Sequence, residues 1–157
     1  QEISPNKNFN TKLFVVFFVP FFIVQLVMPL RHHFIKGDVL FTEEGHRLAW
    51  RMMLRERKGN LNITVVDKKT KEFYYYSYGR ELTPKQIKIL SNSPDVIWQY
   101  CQRIKNESKK PIAIFVECEV SINRRPYYKL IDENTDMATA KFDYFKHNDW
   151  ILLRDLE

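Results

Sequence analysis

The densest set of side chains able to do chemistry lies between Pro29 and Arg57, in the stretch PLRHHFIKGDVLFTEEGHRLAWRMMLRER. It carries His32, His33 and His46, the adjacent carboxylates Glu43 and Glu44, and Trp50. Such a strip can supply a titratable imidazole, an acidic pair and an indole suited to headgroup depth. Its bland reading is a solvated linker, tied down by Trp50 and interfacial salt bridges. His32 and His33 are neighbours whose side chains should diverge, which makes a shared metal a poor prospect. His46 could join one of them, but no carboxylate or cysteine spacing supports a metal site. Gly-rich phosphate loops, GxSxG and HExxH are all missing from the sequence. The cysteines, Cys101 and Cys118, stand 17 residues apart and outside any CxxC pattern. Both read as small buried apolar residues rather than half of a disulfide framework.

The elements that must position this strip can be read from periodicity. Residues 13–30, LFVVFFVPFFIVQLVMPL, contain no charge and no polar face. That pattern is expected of a transmembrane helix, which needs about 20 apolar residues, with a kink at Pro20. The strip begins where this run ends, so it should lie at the membrane surface. Beyond residue 45 the apolar period changes to two. Trp50–Arg57, 61–66 and 72–78 (EFYYYSY) read as three strands, with turns at Lys58-Gly59-Asn60 and near Asp67–Lys71. Thr83, Pro84 and Gln86 form a helix-start signature. Ser93, Pro94 and Asp95 form a second, and Ile97, Tyr100, Cys101 and Ile104 make a stripe that should pack on the sheet. Ile112, Ile114, Val116, Cys118, Val120 and Ile122 alternate without a break, opposite Glu117, Glu119 and Ser121. The turn Asn123–Pro126 leads to a last strand at 127–131. Trp150-Ile151-Leu152-Leu153 should dock an otherwise acidic, irregular tail.

The expected class is α+β: an N-terminal transmembrane helix, then a mainly antiparallel β domain of about five strands with two helices. Residues 1–30 are expected to be the last helix of a membrane bundle, and 31–157 an extracytoplasmic domain. The chain opens on Gln rather than Met, as a processed chain or a piece of a longer one would. Of 157 residues, 45% are hydrophobic and 28% charged, which excludes wholesale disorder. The net charge of +6 is concentrated in the middle, with +5 over 31–80 and +3 over 81–111. Anionic lipid or nucleic acid would suit such a surface; the apolar run and the lack of binding motifs exclude nucleic acid as the expected partner.

Several ordered blocks resemble the vitamin K-dependent gamma-carboxylase family, whose bacterial members carry the horizontally transferred transmembrane domain. These are Pro29-Leu30-Arg31-His32, Gly37, FTEEGHRLAWRMMLRER at 41–57, VSINRRPYYKLIDENTDMA at 120–138 and KHNDWIL at 146–152. The resemblance implies an integral membrane enzyme that carboxylates the gamma carbon of protein glutamate using reduced vitamin K, oxygen and carbon dioxide. It places the quinol (vitamin K hydroquinone or another) and the catalytic lysine mainly upstream, so no catalytic residue and no metal is assigned to this chain. It implies substrate binding by His32, Thr42, Trp50, Met52 and Met53, with a glutamate-bearing protein or peptide and the lipid bilayer as partners. Glu43-Glu44 follows the bacterial pattern, and two carboxylates there would repel a glutamate side chain. Asp132-Glu133 replaces the family's Asp-Pro and should loosen that turn. The competing expectation is a non-catalytic, membrane-anchored binding module whose basic face meets anionic lipid or an acidic partner.

Overall fold

The computed structural model describes residues 11–50 and 55–154. Helix α1 (Thr11–Leu30) runs unbroken through Pro20 and Pro29. At 1.5 Å per residue it is about 30 Å long. Its apolar side chains stay exposed from Leu13 to Val27, and only Met28 and Pro29 begin to be covered. The segment Lys12–Phe34 is long and apolar enough to cross a membrane. A tight helical turn, Arg31–Phe34, follows, and then the one-turn helix α2 (Val39–Thr42).

Four antiparallel strands form one sheet in the order β2-β1-β3-β4. They are β1 (Arg57–Asp67), β2 (Phe73–Tyr75), β3 (Ile112–Ile122) and β4 (Tyr128–Lys129). Strands β1 and β3 pair along their full length, from Arg57↔Ile122 to Asp67↔Ile112. Ile151 bridges Ile131, adding a rudimentary fifth strand beyond β4. The tail docks as expected: Leu152 N–H donates to the Leu130 carbonyl at 2.9 Å, and Trp150 is buried. The α+β plan and the approximate strand count both match the sequence expectation.

Helices α3 (Pro84–Leu90) and α4 (Pro94–Glu107) cover one face of the sheet. The α4 stripe Ile97, Tyr100, Cys101 and Ile104 is buried against Leu61, Ile63 and Val65 of β1 and the alternate residues of β3. Thr83 and Gln86 make the capping box reciprocally, so two orphan N–H groups of α3 are satisfied. Ser93 sits at the start of α4, but its side chain makes no cap hydrogen bond. Pro94 has no N–H to satisfy, and Asp95 supplies the negative charge in the first turn.

Four local expectations are corrected. Lys58-Gly59-Asn60 is no turn: β1 passes straight through it, paired with Ser121, Val120 and Glu119. Gly59 is needed there because a Cβ would collide with the carbonyl oxygen of Ser91, where α3 hands over to α4. Of the expected strand at 50–57, Trp50, Arg55 and Glu56 are not in a strand and Arg57 opens β1, while residues 51–54 lie outside the described residues. The tyrosine-rich strand is shorter than 72–78, because the chain turns inward after Tyr75. The Tyr78 hydroxyl donates to the Leu61 carbonyl at 2.5 Å, and those of Tyr76 and Tyr100 converge on Glu81. Burial and Glu81 push the Tyr76 phenol up to about 12. Finally, Ser121 is buried rather than on the open face, its hydroxyl donating to the Arg125 carbonyl at 2.5 Å. The positive φ of Asn123 and Arg124 folds the turn back over it.

Candidate functional site

The strip after α1 is a packed structure, built from helix ends and buried charge. At the end of α1, His32 is buried and its Nδ1 lies 2.8 Å from the Pro29 carbonyl. A carbonyl can only accept, so Nδ1 carries the hydrogen and the ring caps the helix terminus. His33 does not diverge from it; the two rings are 4.0 Å apart, pressed together by the tight turn. Asp38 starts α2 by accepting from Leu40 N–H at 2.8 Å. Thr42 is 1% exposed; its hydroxyl donates to the Asp38 carbonyl and accepts from Glu44 N–H. The far end of α2 is closed by Arg57, whose Nη1 donates to the carbonyls of Leu40 (2.9 Å) and Phe41 (2.7 Å).

The next residues turn sharply. Glu43 adopts a left-handed conformation with φ 62°, and Gly45 has φ 71°. A Cβ on Gly45 would press on His32 and Ile35, so this glycine lets the turn pack on the end of α1. The turn directs the two carboxylates to different partners. Glu43 meets Arg55, the Arg57 guanidinium (3.6 Å) and the His46 ring (3.1 Å). Glu44 reaches the tail, accepting from the Asn148 backbone N–H and side-chain amide, both at 2.8 Å, and lying 2.6 Å from His147 Nδ1. The blocks at 41–57 and 146–152 are thus clasped together by one buried carboxylate. Arg47 binds Asp95 at the start of α4 at 2.5 Å, and Arg31 donates to the Arg47 carbonyl at 2.9 Å and lies over the Phe145 ring.

This arrangement answers the repulsion expected from Glu43-Glu44. Both are buried, Glu43 paired with Arg55 and Glu44 hydrogen-bonded by His147 and Asn148, so their oxygens are occupied by partners within the chain. Burial, more than the opposing pull of Asp95, holds the His46 imidazole below its usual value. Burial beside Arg55 pushes Arg57 down to about 10. The thiols of Cys101 and Cys118 are buried and pushed up to about 12, so neither offers a thiolate.

Of the residues assigned to substrate contact, three lie within the described residues. His32 and Thr42 are framework, their polar atoms used on the backbone. Trp50 is 71% exposed. Met52 and Met53 lie outside the described residues. The sequence reading missed the Arg55–Glu43–Arg57 cluster and the Glu44–His147–Asn148 clasp. The only signal for either was the co-occurrence of the blocks that carry them.

A small polar pocket of about 20 Å³ lies between Arg31, Thr42, Asp95, Phe142 and Tyr144, room for about one water. It is far too small for a quinol ring. Asp132 holds its turn without the proline, accepting from Asn134 N–H (3.1 Å) and the Thr135 hydroxyl (2.8 Å). The expected loosening is therefore offset by side-chain bonds.

An apolar helix long enough to cross a membrane leads into a clasped strip of paired charge on an antiparallel sheet. The family model for the vitamin K-dependent gamma-carboxylase, lumenal domain, matches residues 10–157, and the chain belongs to that family. No solved structure matches it.

Proposed function

We propose that this chain is the substrate-facing portion of a gamma-carboxylase-like membrane protein, acting on a glutamate-bearing protein or peptide. In this reading α1 crosses the bilayer as the last helix of a membrane bundle, and residues 31–157 stand on the extracytoplasmic side. The reacting centre and the quinol belong to the rest of the protein. This chain supplies a rigid shelf, and Trp50 is the side chain on it that meets the substrate.

One observation carries the reading. Trp50 is 71% exposed in a strip whose two buried carboxylates, Glu43 and Glu44, are both internally paired. A large exposed indole in such a strip suits contact with an acidic peptide. Its test is Trp50→Ala in the full-length protein. The substitution should lower kcat/KM for a glutamate peptide by about tenfold or more, as loss of an interface anchor does, with unchanged expression and melting temperature. Wild-type turnover would remove Trp50 from the site.

A further inference from the structure

We propose that the hollow between Arg55, Arg57, Lys58 and Lys88 holds the phosphate of an anionic phospholipid headgroup. The hollow has a volume of about 360 Å³, large enough for a phosphate with part of its glycerol. The Arg55 and Arg57 side chains are 7% and 6% exposed. Glu43 is shared between them and His46, while Glu56 is already held by Lys58 and Arg124. Four cationic side chains therefore line the hollow against two carboxylates. Among the described residues, Arg57 Nε and Nη2 have no acceptor, although both are buried. A buried guanidinium edge without an acceptor is costly, so the arginine pair carries more positive charge than Glu43 alone offsets. Burial, and then the like charge of Arg55, pull Arg57 below its ordinary value.

Position favours a lipid over a soluble ion. Glu43 and His46 form a wall common to this hollow and the small pocket, and Arg31, the first residue after α1, lines the far side of that pocket. The hollow therefore lies close to the end of α1. Ile89 (47% exposed) lines it, and Leu40 (39% exposed), whose carbonyl Arg57 holds, adds apolar surface next to the basic cluster. A basic floor with an apolar edge matches the phosphate and upper acyl region of a phospholipid. The inference rests on α1 crossing the bilayer, and stands or falls independently of carboxylation.

The test is lipid retention. The chain is reconstituted in nanodiscs of phosphatidylcholine with and without phosphatidylglycerol, then extracted in mild detergent and analysed by native mass spectrometry. Phosphatidylglycerol should be retained in preference to phosphatidylcholine. Lys58→Gln and Lys88→Gln, which alter exposed side chains, should each lower retention about fivefold with unchanged melting temperature. Arg57→Lys, which keeps the charge and loses the planar fork, should lower it as well. Equal retention of the two lipids, or retention indifferent to both lysine substitutions, would overturn the proposal. Stabilisation by inorganic phosphate in lipid-free detergent, without any preference for phosphatidylglycerol, would assign the hollow to a free oxyanion and overturn the lipid source.

Discussion

The sheet with its two helices and the strip from Arg31 to Arg57 are held together by opposite means. In the sheet domain, β1, β3 and α4 bury aliphatic side chains at regular spacing, and nearly every contact is apolar. In the strip, the buried groups include His32, Thr42, Glu43, Glu44 and Arg57, held by helix ends, ion pairs and a residue more than a hundred positions away, with two Arg57 donors left unpaired. Apolar burial is non-directional and tolerates small shifts. Buried charge is stable only when every partner is in place. The strip is therefore the region where a single substitution should propagate furthest, and it is the region that carries the exposed Trp50.

The comparison can be broken first at Glu43. Glu43→Ala leaves Arg55 and Arg57 without their shared carboxylate and should cost about 3–5 kcal/mol, read by denaturant unfolding in detergent. Replacing Glu43 and Arg57 together by Met should recover much of that loss, which no apolar-core variant would do. Next, Ile114→Ala in the centre of β3 should cost about 2–5 kcal/mol by transfer and cavity terms. Hydrogen exchange should show the sheet loosening as a unit while the strip keeps its protection until global unfolding. A smaller effect is expected of His147→Ala, about 1–3 kcal/mol for leaving a buried Glu44 oxygen without its partner. Here the signature is local: amides around Asn148 should exchange faster, with β1 and β3 unchanged. The smallest effect is on pH. His46 is held below its ordinary 6.5 in the folded chain, so the unfolded chain takes up that proton first as pH falls. Stability should decline below about pH 6.5 and level off once the folded imidazole also protonates. His46→Gln should flatten that part of the curve, and an unchanged slope would show that His46 is not the titrating group.

The legible parts of the molecule are those whose information is local. The alternation from Ile112 to Ile122, the Thr83–Gln86 capping box, the α4 stripe and the unbroken apolar run of α1 each carry their own pattern within one element. Gly59 misled because glycine marks both turns and close backbone approaches. Which of the two applies depends on Ser91, thirty-two residues later. The tyrosines at 74–78 suggested one long strand, but Tyr78 and Tyr76 serve the packing of Leu61 and Glu81 instead. His32 and Thr42 could be singled out by their surroundings in the sequence. Their use as helix and turn caps depends on where α1 and α2 end.

The order of residues by itself determined the apolar helix, the α+β class, the buried face of each long strand and the place of the dense polar strip. Hydrophobic period and capping act over a few residues, so they can be read without a partner. Only the tertiary structure decided that Glu43 and Glu44 face away from each other and are both paired within the chain, and that residues 41–57 and 146–152 form one clasped unit. It alone decided that Arg57 is left with two donors unpaired. Those outcomes depend on charges brought together from distant positions, and a charge shows its partner only once the chain has folded around both.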